Sequence, residues 1–326
     1  MGIVHEHIDT FPFEQPVRII KRQEELLLAP PISSRMKKGR DHAPIEAVHF
    51  TPEFVDQPFG HPRGVYESEF IRVEWQTMMD NRQPFYHRNC GADEISYQVC
   101  GERFLVTDMG TARLERGDFS RLPNGTAHDN YGRREIHLLF YIPGPVVELQ
   151  PAARTSDMQI PPFPGWEAQT INEMLTEGLG GPGKDIAMFP VDERMLLETA
   201  NDDPSRLQII RAADVIGTTW LYRAADVMLG RTYAAASDGR VYRRHVNAHE
   251  VQYQLSGQRS LVTQRGVLQI EPGDFVCIPA GVAFTSIHKE PSAHLTLVST
   301  REMPQVPEAS KKGAPVSMDE LERLRS

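Results

Sequence analysis

Cysteine is scarce: Cys90, Cys100 and Cys277 are an odd, widely spaced set in 326 residues. That count excludes a disulfide framework and suits a reducing compartment. Long apolar runs are missing too, and none approaches the roughly 20 residues of a membrane span. The opening residues, Met1-Gly2-Ile3-Val4-His5-Glu6-His7, show no basic stretch followed by an apolar one. No signal peptide is therefore expected, and a cytoplasmic location is. Positive charge is also in short supply. A formal net charge of −9 makes nucleic acid and anionic membranes poor partners, and the acidity reads as solvated surface. What remains is length enough for two medium domains, each with its own core.

The chain nearly writes one pattern twice. The first copy holds His87-Arg88-Asn89, Asp93-Glu94, Tyr97-Gln98 and Gly101, then Gly117-Asp118-Phe119 and Pro123-Asn124-Gly125-Thr126-Ala127-His128. The second holds His245-Val246-Asn247, His249-Glu250, Tyr253-Gln254 and Gly257, then Gly273-Asp274-Phe275 and Pro279-Ala280-Gly281-Val282-Ala283-Phe284. A repeat of this kind fixes the architecture first. It also separates the halves, because one ends in a histidine and the other in a phenylalanine.

Alternation of apolar and polar residues in Glu69 to Trp75 and in Ile95 to Val99 predicts half-buried strands. Many short strands at close spacing predict an all-β sandwich or barrel. Residues 1–49 read as an N-terminal extension, with a short helix at Ile19 to Leu28 and a basic loop at Arg35 to Arg40. Residues 50–147 form the first barrel, and 148–214 an irregular linker with a helix at Asp192 to Thr199, packed across both domains. Residues 215–300 form the second barrel. The tail, 301–326, is polar and partly mobile except for a helix at Met318 to Leu324.

Two histidines and a carboxylate on one face bind a divalent first-row metal and leave adjacent positions open for substrate and dioxygen. His87, Glu94 and His128 fit that set, with His87 and Glu94 close in sequence and His128 arriving from a later strand. Asp93 competes with Glu94, since neighbours on a strand face opposite ways. The spacing Glu94-x6-Gly101, repeated in Glu250-x6-Gly257, favours Glu94.

The spacing from Glu94 to Gly101, and from Gly117 through Pro123-x-Gly125 to His128, resembles the two cupin motifs. With Asn89 where the first motif usually has a second histidine, Tyr86-His87-Arg88-Asn89-Cys90 resembles the metal site of homogentisate 1,2-dioxygenase and its bicupin relatives. The resemblance implies two cupin-type β-barrels (double-stranded β-helices) and Fe(II) on His87, Glu94 and His128. It implies ring cleavage, with dioxygen, of a hydroquinone-like aromatic diol such as homogentisate, gentisate or hydroquinone. Two departures leave the exact substrate open. The chain has one more residue between histidine and glutamate, and Arg121-Leu122 stands where that enzyme keeps another histidine. Rival readings are a flavonol-type dioxygenase, a metal-dependent isomerase or a non-catalytic metal-binding or storage bicupin. A homo-oligomer is expected, with the large subunit of a two-component enzyme as an alternative.

Other residues are open to two readings. Asn89 is an extra ligand, a hydrogen-bond partner of a ligand, or a structural asparagine. Tyr131, with Trp75, Tyr86 and Tyr97, lines an aromatic pocket or belongs to the core. Arg88 and Arg121 grip a substrate carboxylate or make surface ion pairs. In the second copy His245, Asn247, His249 and Glu250 have ligating groups, but Phe284 cannot ligate, and His288 or His294 would have to substitute. His294 aligns with His137, which suggests a shared structural role. The second barrel therefore reads as a packing and dimerisation domain.

Overall fold

The computed structural model describes residues 2–30, 42–56, 61–180 and 184–326. The basic loop expected at Arg35 to Arg40 lies outside the described residues. The architecture is all-β, as expected, and its two halves share one strand plan. In the first, Asp93–Thr107 and His128–Ile142 run antiparallel from the His128–Thr107 pair to the Ile142–Asp93 pair. Arg72–Met78 flanks His128–Ile142, and Asp118–Leu122 flanks Asp93–Thr107 with Leu122 opposite Glu94. In the second, His249–Ser256 pairs with Ser292–Ser299, Val227–Ala234 flanks Ser292–Ser299, and Asp274–Ile278 flanks His249–Ser256 with Ile278 opposite Glu250.

The repeated glycine has a steric cause. Gly101 and Gly257 have φ of +67° and +72°. A Cβ would lie 2.3 Å from the Arg134 carbonyl oxygen at Gly101, and 2.3 Å from that of Pro291 at Gly257. Only glycine tolerates both the positive φ and that close approach. The repeated Gly-Asp-Phe has a cause too. Asp118 and Asp274 accept the backbone N–H of Glu115 and Glu271 at 2.8 and 2.9 Å, closing the same turn.

The segments ahead of the barrels cross over. Ile3–Asp9 runs parallel to Val241–His245, and Glu46–His49 pairs with Asp274–Ile278, so residues read as an extension complete the second barrel. Gln208–Arg211, from the linker, pairs with Asp118–Leu122 in the first. Thr170–Glu177 lies parallel to Tyr86–Cys90 and carries Asp185–Asp192 on its outer side. The expected helix at Ile19 to Leu28 is shorter. Arg18–Gln23 is a strand against Ile3–Asp9, and only Glu24–Leu28 is helical. Helix Glu193–Glu198 falls where expected, capped by the Asp192 side chain on the Met195 N–H. The tail is pinned rather than loose. Val306 and Ser310 donate backbone hydrogen bonds to Val65 and Ala47, and Met318–Arg325 is a helix with a Ser317–Glu320 capping box.

Strand alternation puts the largest apolar cluster between the barrels. Val73, Trp75, Ile95, Tyr97, Leu138 and Phe140 of the first meet Leu229, Val251, Tyr253, Leu295 and Leu297 of the second. The alternate residues of the same strands, among them Glu74, Glu94, Ser96, Gln98 and His137, are also buried and face the other way, into the first barrel. That barrel therefore has a polar interior.

Candidate metal centre

His87 lies opposite His128 across the strand pair, and Glu94 is the second residue of Asp93–Thr107. One ligand atom from each of the three lies within 4.8 Å of the others. The two imidazole centroids are 5.1 Å apart, and His128 Nε2 is 3.5 Å from Glu94 Oε2. Asp93 faces away, taking Arg121 Nη1 at 2.8 Å and the Asn124 N–H at 2.9 Å. The pleat thus separates the two acids.

Local contacts orient each donor. His128 Nδ1 is 3.3 Å from the Thr126 carbonyl oxygen, which can only accept, so Nδ1 donates there and Nε2 faces the cluster. Asn89 Nδ2 donates to Glu94 Oε2 at 2.7 Å. Its buried Oδ1 has no protein partner. His87 Nε2 meets the hydroxyl of Thr176, which the parallel strand Thr170–Glu177 brings beside Asn89. Thr176 has no signal in the sequence, because it comes from the segment read as irregular linker.

The protonation states suit a cation. Burial, and then the neighbouring His128, push the His87 pKa down to about 3, so its ring is neutral. Burial alone would raise the Glu94 carboxyl. His128, His87 and the Asn89 hydrogen bond outweigh it and hold the acid below its usual range. Two imidazoles, that of His87 neutral, and an ionised carboxylate are a competent donor set for a divalent ion. Among the described residues no fourth histidine, cysteine or acid joins them.

Tyr131 does not belong to this site. Three residues along the strand from His128, it faces the opposite way and stacks on Phe163, centroids 4.6 Å apart and 10° from parallel. Tyr86 packs in the same apolar cluster, and Trp75 and Tyr97 lie in the core between the barrels. The two arginines are committed to ion pairs, Arg88 with Glu173 and Asp108, and Arg121 with Asp93 and Glu148.

In the second barrel an ion pair stands in the matching place. His245 Nε2 meets Glu250 Oε2 at 2.7 Å, and its Nδ1 meets Asp9 from the N-terminal strand. Carboxylates on opposite ring nitrogens cannot share one ion. Burial disfavours the charged ring, but Asp9 and Glu250 prevail and raise its pKa to about 9. Phe13 and Phe284 pack at 5.1 and 6.0 Å from the ring. Asn247, the counterpart of Asn89, accepts the Phe11 N–H at 2.9 Å. His288 contacts the Glu290 carbonyl, while His294 sits opposite Gln254 as His137 sits opposite Gln98. A surface group of His49, Glu271 and Asp274 is already neutralised by Lys311, at 2.7 Å from Glu271 and 2.6 Å from Asp274.

No protein-family model matches the sequence, and no curated protein matches it. Solved structures are similar in shape. A cupin 2 conserved barrel domain protein from Leptotrichia buccalis matches at TM-score 0.48 and 9% identity, over 79% of this chain and 98% of that one. Bacillus subtilis oxalate decarboxylase matches at 0.45 and 14%, over 90% and 87%. A salicylate 1,2-dioxygenase variant from Pseudoaminobacter salicylatoxidans matches at 0.46 and 13%, over 73% and 75%. These are distant likenesses of shape, and the chemistry of the site comes from the chain's own residues. No helix among the described residues is long and apolar enough to cross a membrane.

Proposed function

We propose that the chain is a non-haem Fe(II) dioxygenase that opens the ring of a hydroquinone-like diol with dioxygen. The observation that carries this reading is the convergent His87–Glu94–His128 cluster, two imidazoles, one of them held neutral, and an ionised carboxylate around one point. Two histidines and one carboxylate with open positions are the donor set of non-haem Fe(II) oxygenases. Iron, when bound, would act as Lewis acid and one-electron relay between an electron-rich ring and dioxygen.

The protein's part is to hold and to shield. His87 and His128 supply ring nitrogen, oriented by Thr176 and the Thr126 carbonyl. Glu94 supplies the negative charge, and Asn89 fixes which carboxylate oxygen is left free. The exposure of Glu94 and His128, 3% and 2%, keeps bulk water from the donors. One dioxygen is consumed per diol, both its atoms entering the product as one ring carbon–carbon bond breaks. Oxygen uptake by iron-reconstituted protein, across a panel of 1,4- and 1,2-dihydroxybenzenes, tests this. Uptake with a strongly absorbing ring-opened product is expected. No uptake with any diol, with or without a candidate small subunit, would leave the isomerase or storage readings in its place.

A further inference from the structure

The two barrels can be compared position by position. In strand register Tyr141 lies opposite Glu94, Arg72 opposite Tyr141, and Glu74 opposite Leu139. Counted from Glu250, the same three positions of the second barrel hold Val298, Met228 and Gly230. The barrel with the three metal donors thus carries a tyrosine, an arginine and a glutamate where the other barrel has no polar side chain. All three are buried. Arg72 Nε is 2.9 Å from Glu74 Oε1, and the Arg72 guanidinium carbon lies 4.2 Å from the Tyr141 ring centroid. A buried ion pair is seldom worth more than apolar packing, and the second barrel closes without one here. Fold stability therefore does not account for the trio.

Its place does. Residues directly opposite on paired strands share a face, with Cβ atoms about 5 Å apart, so Tyr141 stands beside Glu94. Glu94 acts on the Tyr141 phenol more than any other charge. The hydrogen-bonding neighbour of that phenol is Arg72, which can only donate, so the phenol proton has no acceptor among the described residues. We propose that Tyr141 is a substrate-touching residue of this site, its phenol donating a hydrogen bond to an oxygen of an aromatic diol bound beside Glu94. Arg72 and Glu74 are positioning residues: Arg72 pins the Tyr141 ring by one face, and Glu74 holds Arg72. The diol as ligand rests on the function proposed above, whereas the free donor is a property of the barrel itself. A donor in this place favours an ionised diol oxygen, because hydrogen bonds to charged partners are the stronger ones.

Calorimetric titration of the Zn(II)-loaded full chain with hydroquinone and with gentisate, under argon, tests the proposal without turnover, since zinc takes the same donors and has no redox chemistry. Tyr141→Phe should keep its fold and its metal, checked by circular dichroism and plasma emission. It should bind the tighter of the two diols roughly tenfold or more weakly. R72M/E74Q, which removes both charges together, should also weaken the diol. Adding Y141F to it should then cost less than Y141F alone, because the phenol is already unpinned. Full additivity overturns the positioning role, and if R72M/E74Q does not fold, Y141F decides alone. Equal diol affinity in wild type and Y141F overturns the proposal and leaves the dioxygenase reading standing. Wild-type protein that binds neither diol overturns both. Weakened binding in Y141F, in a protein whose iron form takes up no oxygen, supports the hydrogen bond and counts against the dioxygenase reading alone.

Discussion

Deprotonating His245 should loosen the second barrel. Asp9 and Glu250 can both be satisfied as acceptors only while both ring nitrogens carry protons. In the unfolded chain the ring returns to a pKa of about 6.5. In the fold its pKa is about 9, despite burial, because two carboxylates hold the charge. Between those values the folded protein binds one more proton than the unfolded chain, so stability falls as pH rises. The contribution is complete below about 6.5 and lost above about 9, some 3 kcal/mol in all at about 1.4 kcal/mol per pH unit. Arg259 from inside the barrel and Arg243 from its exposed side act on Glu250 and help keep it ionised, so the imidazole is the group that titrates. Urea unfolding of wild type and His245→Gln over this pH range is the assay. With a slope of about 3 kcal/mol per molar urea, the wild-type midpoint should fall by about 1 M more than that of the variant. Parallel pH profiles in the two proteins would refute the ion-pair account.

Alanine at His87, Glu94 or His128 should each remove most bound metal, measured by plasma emission on folded protein, whereas His245→Ala should leave metal content unchanged. Thr176→Val should keep the fold but weaken metal affinity roughly 10-fold, read by competition with a chelator, because the hydroxyl beside His87 Nε2 is lost. The matched buried arginines should behave differently on truncation. Arg259 donates to Gln252, Gln254 and Ser286, so Arg259→Met strands several buried acceptors and should cost roughly 3 kcal/mol or more in denaturant unfolding. Among the described residues Arg103 donates to Ser96 alone, and Ser96 keeps Ser120, so Arg103→Met should cost about 1 kcal/mol.

What the sequence made legible is local. Glu-x6-Gly and Gly-Asp-Phe recur because a positive φ and a closed turn demand particular residues at those positions, and such demands leave marks on a single chain. The pleat likewise separates Asp93 from Glu94, and counting three positions on from His128 places Tyr131 on the wrong face. The same rule, applied to Tyr131, would have removed it from the site. Long-range choices leave no such mark. Nothing in Ile3–Asp9 says that it pairs with Val241–His245, and nothing in Thr170–Glu177 says that Thr176 will meet His87. Both depend on partners far away in the chain. Phe284 could be read as ending metal binding in the second half, but the Asp9 carboxylate that takes over comes from outside the repeat.

The crossing of the N-terminal strand to the second barrel sets a schedule for biosynthesis. Asp9 and His245 are 236 residues apart. At about 5–20 residues per second, a ribosome needs on the order of ten to fifty seconds to make the second after the first. For that interval Ile3–Asp9 has only its hairpin neighbour Arg18–Gln23, and Glu46–His49 also waits for its barrel. The first barrel waits for Gln208–Arg211 from the later linker, and the second takes strands made long before its own, so neither closes from its own stretch of chain alone. The nascent protein therefore spends most of its synthesis as a set of open sheets, and nascent-chain chaperones have their longest access to it then.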